Sequence, residues 1–450
     1  MKIIITSLLF LMSTILVNAQ KEDYIWYFGN QSGIDFNGST PVTLTNSIMN
    51  AGEGCASISD SAGNILFYTD GITVYDHSHS IMSNGTGLTG NSSSTQSAII
   101  VKKPGASTIY YIFSLDMVYA YSEVDMSLNG GFGAITSNKN IILNGVAQSE
   151  KQAATFHSNG TDVWVVMFDV NTFKAYLVSS SGVNTTPVIT TIGQVHQYDL
   201  GQMCFSKSGN KIALGNYETS GLPNISIYNF NKNTGIVTND IHFDNGVSQC
   251  YGVSFSPDET KLYAAVNPSI YTIYQYDITS NNAATIKASE FLIGGPGLFE
   301  IGTMQLGPDG RIYCTQYNSN FLGVIENPDS SGLASGFTPS GIDLLTGICN
   351  LGLPNLIAGR QNESTGVNET NSSLQISWYP NPVIDFIEVS IPEIPKNTTI
   401  QVCDLTSRIV YDQEIQAQST KIPMQTLSSG MYILQINTPK NKYSFKLLKQ

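Results

Sequence analysis

Apolar and polar positions alternate along most of this chain in short runs, broken by turn-forming residues, and one such unit recurs. The copies read ASISDSAGNILFY from Ala56, IIVKKPGASTIYYIF from Ile99, ATFHSNGTDVWVV from Ala154, MCFSKSGNKIAL from Met203, VSFSPDETKLYAA from Val253 and MQLGPDGRIYC from Met304. With Ile58, Val101, Phe156, Phe205, Phe255 and Leu306 taken as equivalent, the intervals are 43, 55, 49, 50 and 51 residues. Each copy predicts a hairpin, because the Ser, Pro, Asp, Asn and Gly between its apolar runs suit a tight turn. A second hairpin follows in most repeats, as in FDVNTFKAYLV from Phe168, IYNFNKNTGIVT from Ile227 and YTIYQYDIT from Tyr271. Two hairpins make a four-stranded sheet that cannot bury both faces alone, whereas a ring of such sheets can, and the period is that of propeller blades. Two segments stand outside the repeats, YIWYFGNQSGIDFN from Tyr24 and CNLGLPNLIAG from Cys349. Joined in one blade they close the ring and hide its edge. The expectation is an all-β propeller of seven blades, with six or eight as alternatives.

The two ends of the chain read differently. Met1-Lys2, an apolar run from Ile3 to Val17 and the small-x-small Val17-Asn18-Ala19 form a secretory leader over residues 1–19. Its run of about 15 apolar residues falls short of the roughly 20 that span a bilayer, and no later stretch reaches that length. Residues 20–358 hold the repeats. Residues 359–373, GRQNESTGVNETNSS, lack apolar periodicity and read as a flexible linker. Residues 374–450 return to alternating strands, ISWYPNPVIDFIEVSI, TIQVCDLTSRIVYDQEI, TKIPMQTLSSGMYILQI and KYSFKLLKQ, and predict a small Ig-like β-sandwich.

Two resemblances follow from these strings. The terminal module resembles the type A sorting domain of the type IX secretion system, on Tyr379-Pro380-Asn381-Pro382 with Asp385, on Leu427-Ser428-Ser429-Gly430-Met431-Tyr432, and on Lys446-Leu447-Leu448-Lys449. The family usually places Gly after Asp-Leu-Thr in its middle turn, where this chain has Ser407. The resemblance implies type IX machinery as a partner, passage through periplasm and outer membrane, removal of the module, and release or attachment at the cell surface. The main body resembles a family of large secreted propellers of Bacteroidetes, of WD40 or YVTN type, on WYFGNQSGIDF, GNILFYTDGITVY, STQSAIIVKKPG, SEKQAATFHSNGTDVWVV and GLPNLI. It implies a fold and a compartment, not an activity.

Composition narrows the partners. Only 12% of residues are charged, against 40 Gly and 23 Tyr, which suits an all-β extracellular protein. A net charge of −13 and the absence of a basic stripe argue against nucleic acid or an anionic membrane. The six cysteines, Cys55, Cys204, Cys250, Cys314, Cys349 and Cys403, form no C-x-x-C pair. Five lie in the main body, so one of those at least is unpaired there, and most read as small buried hydrophobes.

Signals for chemistry are sparse. There is no G-x-S-x-G elbow and no H-E-x-x-H. His77 and His79 alternate and have the spacing of two metal ligands, but YDHSHS also reads as an exposed polar hairpin, and His157 falls in a turn. Asn229 to Gly235 alternates oxygen-bearing residues, yet its Gly comes one position late for a calcium loop, so a hairpin turn is the better reading. SPDE from Ser256 and GPDG from Gly307 read as turns capped by Asp258 and Asp309. The repeat alignment itself supplies the strongest candidate. Five or six positions before the reference residues lie Glu53, Gln96, Glu150, Asp199, Gln249 and Glu300, at the starts of the innermost strands. In a closed ring they surround one mouth of the central channel. The expectation is a site for a glycan, another polymer or a protein, with no cofactor required and Ca²⁺ as the one candidate ion. The alternatives are a solvated channel mouth and a hydrolase or lyase built on the acids.

Overall fold

The computed structural model describes residues 20–359 apart from 196–199, 218–223, 245–248, 267–271 and 295–299. It also describes residues 377–449 apart from 380–381, 392–397, 405–407, 416 and 439–441. The expected leader lies outside these residues, as does the linker beyond Gly359. Two compact units are divided at residue 362.

The first unit is a seven-bladed propeller. Blade one is the three-stranded sheet Ile25–Phe28, Ser32–Asp35 and Val42–Leu44. Blades two to seven begin with the innermost strands Ala56–Ser59, Ala98–Lys102, Lys151–Phe156, Met203–Phe205, Cys250–Phe255 and Ile301–Leu306. Each of the six reference residues of the repeat lies in one of these. Blades two and three are joined at their outer edges by a parallel pairing of Ser83 with Ala134.

Strand alternation explains how the sheets stack. In Val163–Asp169 of blade four, Val163, Val165 and Met167 pack with Ile99, Val101 and Phe113 of blade three. Trp164, Val166 and Phe168 point the other way, into a cluster with Phe205, Ile212 and Tyr228 of blade five. Both faces are therefore buried, each large apolar side chain contributing about 1.5–3 kcal/mol. Across the seam between blades seven and one, Trp26 meets Tyr313 edge-on at 5.5 Å and Thr43 Oγ1 donates to the Asp343 carbonyl at 2.6 Å.

The two segments outside the repeats do not share a blade, which corrects that expectation: the first forms blade one alone, and Ile348, just before the second, pairs with it through an isolated bridge to Asn30. The second of them goes further than an ordinary closing strand. Beyond Ile348 the chain descends the channel between blades seven and two: Thr303 N donates to Leu351 O at 2.8 Å, Leu351 N to Gly52 O at 3.1 Å and Asn355 N to Cys55 O at 2.9 Å. It ends as Ile357–Ala358, paired in parallel with Ala154 and Thr155 of blade four. GLPNLI thus fills the lumen. Its glycine is required there, since a Cβ on Gly352 would collide with the Glu53 carbonyl.

The second unit has a three-stranded sheet, Ser377–Tyr379, Phe386–Ser390 and Ser419–Pro423. Its four-stranded sheet runs Ile409–Ile415, Thr398–Asp404, Gly430–Asn437 and Lys442–Lys449. Ile387, Val389, Ile400, Val402, Ile422, Leu434 and Leu447 form the core between them, as expected of a small sandwich. All six cysteines are free thiols; Cys204 is half-buried and the others buried. Among the described residues no helix is long and apolar enough to cross a membrane.

Candidate functional site

The starts of the innermost strands converge on one mouth of the channel, and the side chains there divide into three groups. The first is an acidic pair with partners. Glu53, in blade two, accepts from the Tyr251 phenol at 2.7 Å and from Ser93 Oγ at 3.2 Å. Burial raises its carboxyl to about 7, the Tyr251 bond opposes this, and the charges of Glu150 and Glu300 add to the rise. Glu150, in blade four, accepts from Thr95 N at 2.7 Å and Thr95 Oγ1 at 2.8 Å. Burial raises its carboxyl as well, against these bonds and the neighbouring Lys151. Blades two, four and seven thus bring Glu53, Glu150 and Glu300 within electrostatic reach of one another.

Glutamines placed one step deeper form the second group, and they work as structure. Gln96 copies a strand neighbour, its Nε2 donating to Met203 O at 3.0 Å while its Oε1 accepts from Met203 N at 2.8 Å. Gln152 Nε2 donates to Gln96 O at 2.8 Å. Gln202 Nε2 donates to Met304 O at 2.7 Å, and its Oε1 accepts from Met304 N at 3.0 Å and Val253 N at 3.1 Å. Buried amide side chains replacing main-chain partners cost little where both ends are bonded, as in Gln96 and Gln202, whereas Gln152 Oε1 is buried without a partner among the described residues. Gln96 is therefore a cross-lumen tie, not a free ligand at the mouth, which corrects the expectation for that position. Lys151 is likewise fully buried, with Nζ donating to Leu200 O at 2.7 Å.

The remaining ring positions stay at the surface. Gln249 is half-buried and its backbone bridges Tyr217. Glu300 is half-buried and its carbonyl accepts from Tyr317 N at 2.7 Å. Asp199 lies outside the described residues. Sequence reasoning missed Tyr251 and Ser93. Tyr251 is the second residue of the strand Cys250–Phe255, whose ladder is irregular between Cys250 and Val253, so simple alternation does not place it.

Other candidates resolve locally. His77 stacks on Phe132 at 4.7 Å, while His79 is held between Asn46 Nδ2 at 2.7 Å and the Tyr68 hydroxyl at 3.2 Å, so the two rings do not converge. His157 accepts from Asn159 N at 3.0 Å inside its turn, and Asn231 Oδ1 accepts from Asn233 N at 3.0 Å in a hairpin turn. Among the described residues no three His, Cys, Asp or Glu side chains are grouped so as to hold a metal ion.

In the second unit, Tyr379 is exposed and donates to Glu388 Oε2 at 3.2 Å, and Asp385 O accepts from Met424 N at 2.8 Å. Pro382 is exposed, Pro380 and Asn381 lie outside the described residues, and Lys446 pairs in register with Ile433. Tyr432 donates to Ser428 O at 2.9 Å across the Gly430 turn, and Lys449 is buried at the pairing with Val383.

No curated protein matches the chain. Among solved structures it is similar to PorZ, a surface component of the type IX secretion system of Porphyromonas gingivalis, at 12% identity and a TM-score of 0.37 over 93% of this chain and 62% of that one. It is also similar to TolB from Acinetobacter baumannii, at 14% identity and a TM-score of 0.34 over 64% of this chain and 62% of that one. A third is a putative 6-phosphogluconolactonase from Bacteroides uniformis, at 13% identity and a TM-score of 0.37 over 67% of this chain and 98% of that one. The chain spans less than two thirds of the length of the first two. Residues 377–450 match the family model described as the secretion system C-terminal sorting domain. The protein is therefore a β-propeller carrying a C-terminal sorting domain of the type IX secretion system, which directs it to the outer cell surface or beyond.

Proposed function

We propose that the exported propeller is a binding or adhesion module for a polymer, with a glycan as the leading ligand class, engaged at its acidic mouth. The observation that carries this reading is the way the mouth carboxyls are held. Glu53 and Glu150 are fixed by Tyr251, Ser93 and Thr95 before any ligand arrives. A carboxyl raised to about 7 both donates and accepts near neutral pH, which suits a hydroxyl-rich ligand better than a strongly charged one. Preorganised polar groups on a rigid scaffold favour recognition, because little ordering cost remains to be met on binding. The test is binding of the mature protein to a glycan array, with Glu53→Gln and Tyr251→Phe expected to weaken the signal. An array with no hit, or hits indifferent to both substitutions, removes this reading.

A second reading has one observation in its favour. A carboxyl near 7 beside a phenol is also suited to general acid or base catalysis. A hydrolase or lyase at this mouth predicts turnover of a glycan or lactone that Glu53→Gln abolishes while binding persists.

A further inference from the structure

Strand alternation in the sorting domain splits the strings that carry the family resemblance into two sets. In Gly430–Asn437, the side chains of Tyr432, Leu434 and Ile436 are buried in the domain core, and Leu447 joins them from Lys442–Lys449. Tyr432 also closes its turn through the bond to Ser428 O, and Lys449 is buried. A receptor that meets the folded domain does not reach these side chains, so their part in sorting is to build the domain. What it reaches are the residues between them, on the outward face of the sheet.

That outward face is divided. One end is polar, as the solvated side of an antiparallel sheet should be. There Asn437 Nδ2 donates to Thr399 Oγ1 at 3.4 Å and to Gln401 Oε1 at 3.2 Å, and Gln401 pairs with Gln435 in register. The other end breaks the rule. Met431 pairs with Leu448, each 44% exposed, and Ile433 follows two positions after Met431 on the same face. In the row of Ile433 the register runs across Cys403 to Ile409, which is 51% exposed. Four apolar side chains from three strands thus form one corner, and a cluster of this kind marks an interaction surface. The exposed rings of the other sheet differ, because polar groups of the domain engage them: Lys421 Nζ stands 4.5 Å over Phe386, and Tyr379 donates to Glu388.

Two observations name the occupant. Residues 377–450 match a sorting domain, whose partner is the secretion machinery. Met431 and Leu448 lie within the strings Leu427 to Tyr432 and Lys446 to Lys449 on which the resemblance rests.

We propose that the corner formed by Ile409, Met431, Ile433 and Leu448 is the surface by which the type IX machinery grips the folded sorting domain, through an apolar patch of its own. The corner serves delivery and is independent of any ligand at the propeller's acidic mouth.

The test uses the full chain, expressed in cells with a working type IX system. Met431→Gln combined with Leu448→Gln puts polar side chains of similar length at two exposed strand positions. Surface display, read by fractionation and protease accessibility, is expected to fall at least about tenfold while folded chain collects in the periplasm, as the loss of two buried apolar contacts implies. Met431→Leu combined with Leu448→Met keeps the corner apolar and should keep display normal. Phe386→Gln removes exposed apolar surface from the other sheet and should also leave display normal. A second readout needs no loss of function: p-benzoylphenylalanine in place of Leu448 should photocrosslink to a component of the type IX machinery, and in place of Phe386 it should not. Where the doubly substituted chain is degraded before fractionation, the crosslink decides. Normal display of the Met431→Gln, Leu448→Gln chain, an equal loss of display in Phe386→Gln, or a probe at Leu448 that captures no type IX component each overturns the proposal.

Discussion

The Tyr251 phenol in blade six donates a 2.7 Å hydrogen bond to Glu53 in blade two, 198 positions away in the chain. Only a closed ring brings these residues together, so the bond reports on ring closure as well as on the mouth. Because the phenol favours the ionised carboxylate, Tyr251→Phe should move the Glu53 titration further above about 7. It should also cost about 1–2 kcal/mol at pH 8, where Glu53 is charged and has lost its best donor. Carboxyl-resolved NMR titration and urea unfolding check the two parts, and an unchanged titration would show that the bond does not form in solution.

The same carboxyl gives the protein a pH dependence of definite sign. Its folded value of about 7 exceeds the ordinary 4.5, so between those limits the folded state holds more protons than the unfolded chain. Stability should therefore fall as pH rises through this window, with the contribution intact below about 4.5 and gone above about 7. Glu150, shifted in the same direction by burial, adds to the trend. Carboxylates that hydrogen bonds depress, such as Asp60 and Asp277, act only at lower pH and with opposite sign. Glu53→Gln should flatten the slope between pH 5 and 8 by about 1–3 kcal/mol, read as melting temperature against pH. A wild-type melting temperature that rises steadily from pH 5 to 8 contradicts the assignment.

Gln202 is the clearest structural tie across the lumen. Replacing it with Ala leaves Met304 N, Met304 O and Val253 N without their partner. The expected loss is about 3–5 kcal/mol, well above the cost of shortening an exposed glutamine such as Gln418. Denaturant unfolding of both variants decides, and equal losses would mean that water replaces the side chain freely.

Much of this was legible in the sequence, for identifiable reasons. Hairpin turns and period-two alternation are local signals, so the strands around Ile58, Phe205 and Phe255 and the intervals between them could be read directly. The orphan status of the segments at Tyr24 and Cys349 pointed to one joined blade, whereas the first makes blade one by itself and the second runs through the channel to pair with blade four. What could not be read is how deep each position sits. Glu53 and Gln96 occupy the same alignment column, yet one stays at the mouth and the other crosses to Met203, because lumen geometry depends on all seven blades at once. GLPNLI carried no mark of its path either. Its small and apolar residues suit an outer strand as well as a channel, and only Gly352 against the Glu53 carbonyl distinguishes the two.

The terminal module makes a prediction about delivery. Deleting Leu374 to Gln450 removes the sorting domain but none of the propeller's strands, so the truncated protein should fold and remain in the periplasm. Cell fractionation with a surface-protease control measures this. Normal surface display of the truncated chain would show that another signal directs export.

The closing segment makes the most demanding prediction, because it asks whether a few residues without a full blade hold the ring together. A chain stopped after Ile348 loses Leu351, Leu353 and Asn355 as partners of Gly52, Thr303, Cys55 and Gln152, together with the pairing of Ile357 and Ala358 to blade four. Thr303 N and the carbonyls of Gly52 and Cys55 would then face an emptied lumen. At about 1 kcal/mol for each net bond, and more for each group left buried and unpaired, the loss should exceed about 5 kcal/mol, comparable to the whole stability of many domains. A chain stopped after Gly359 keeps every one of these contacts and should melt like the chain stopped after Ser373. Gly352→Val supplies a point-mutation version, since its side chain must displace the Glu53 carbonyl and with it the start of blade two. If the chain ending at Ile348 melts within about 2 °C of the longer ones, the threaded segment is an ornament on a ring that closes without it.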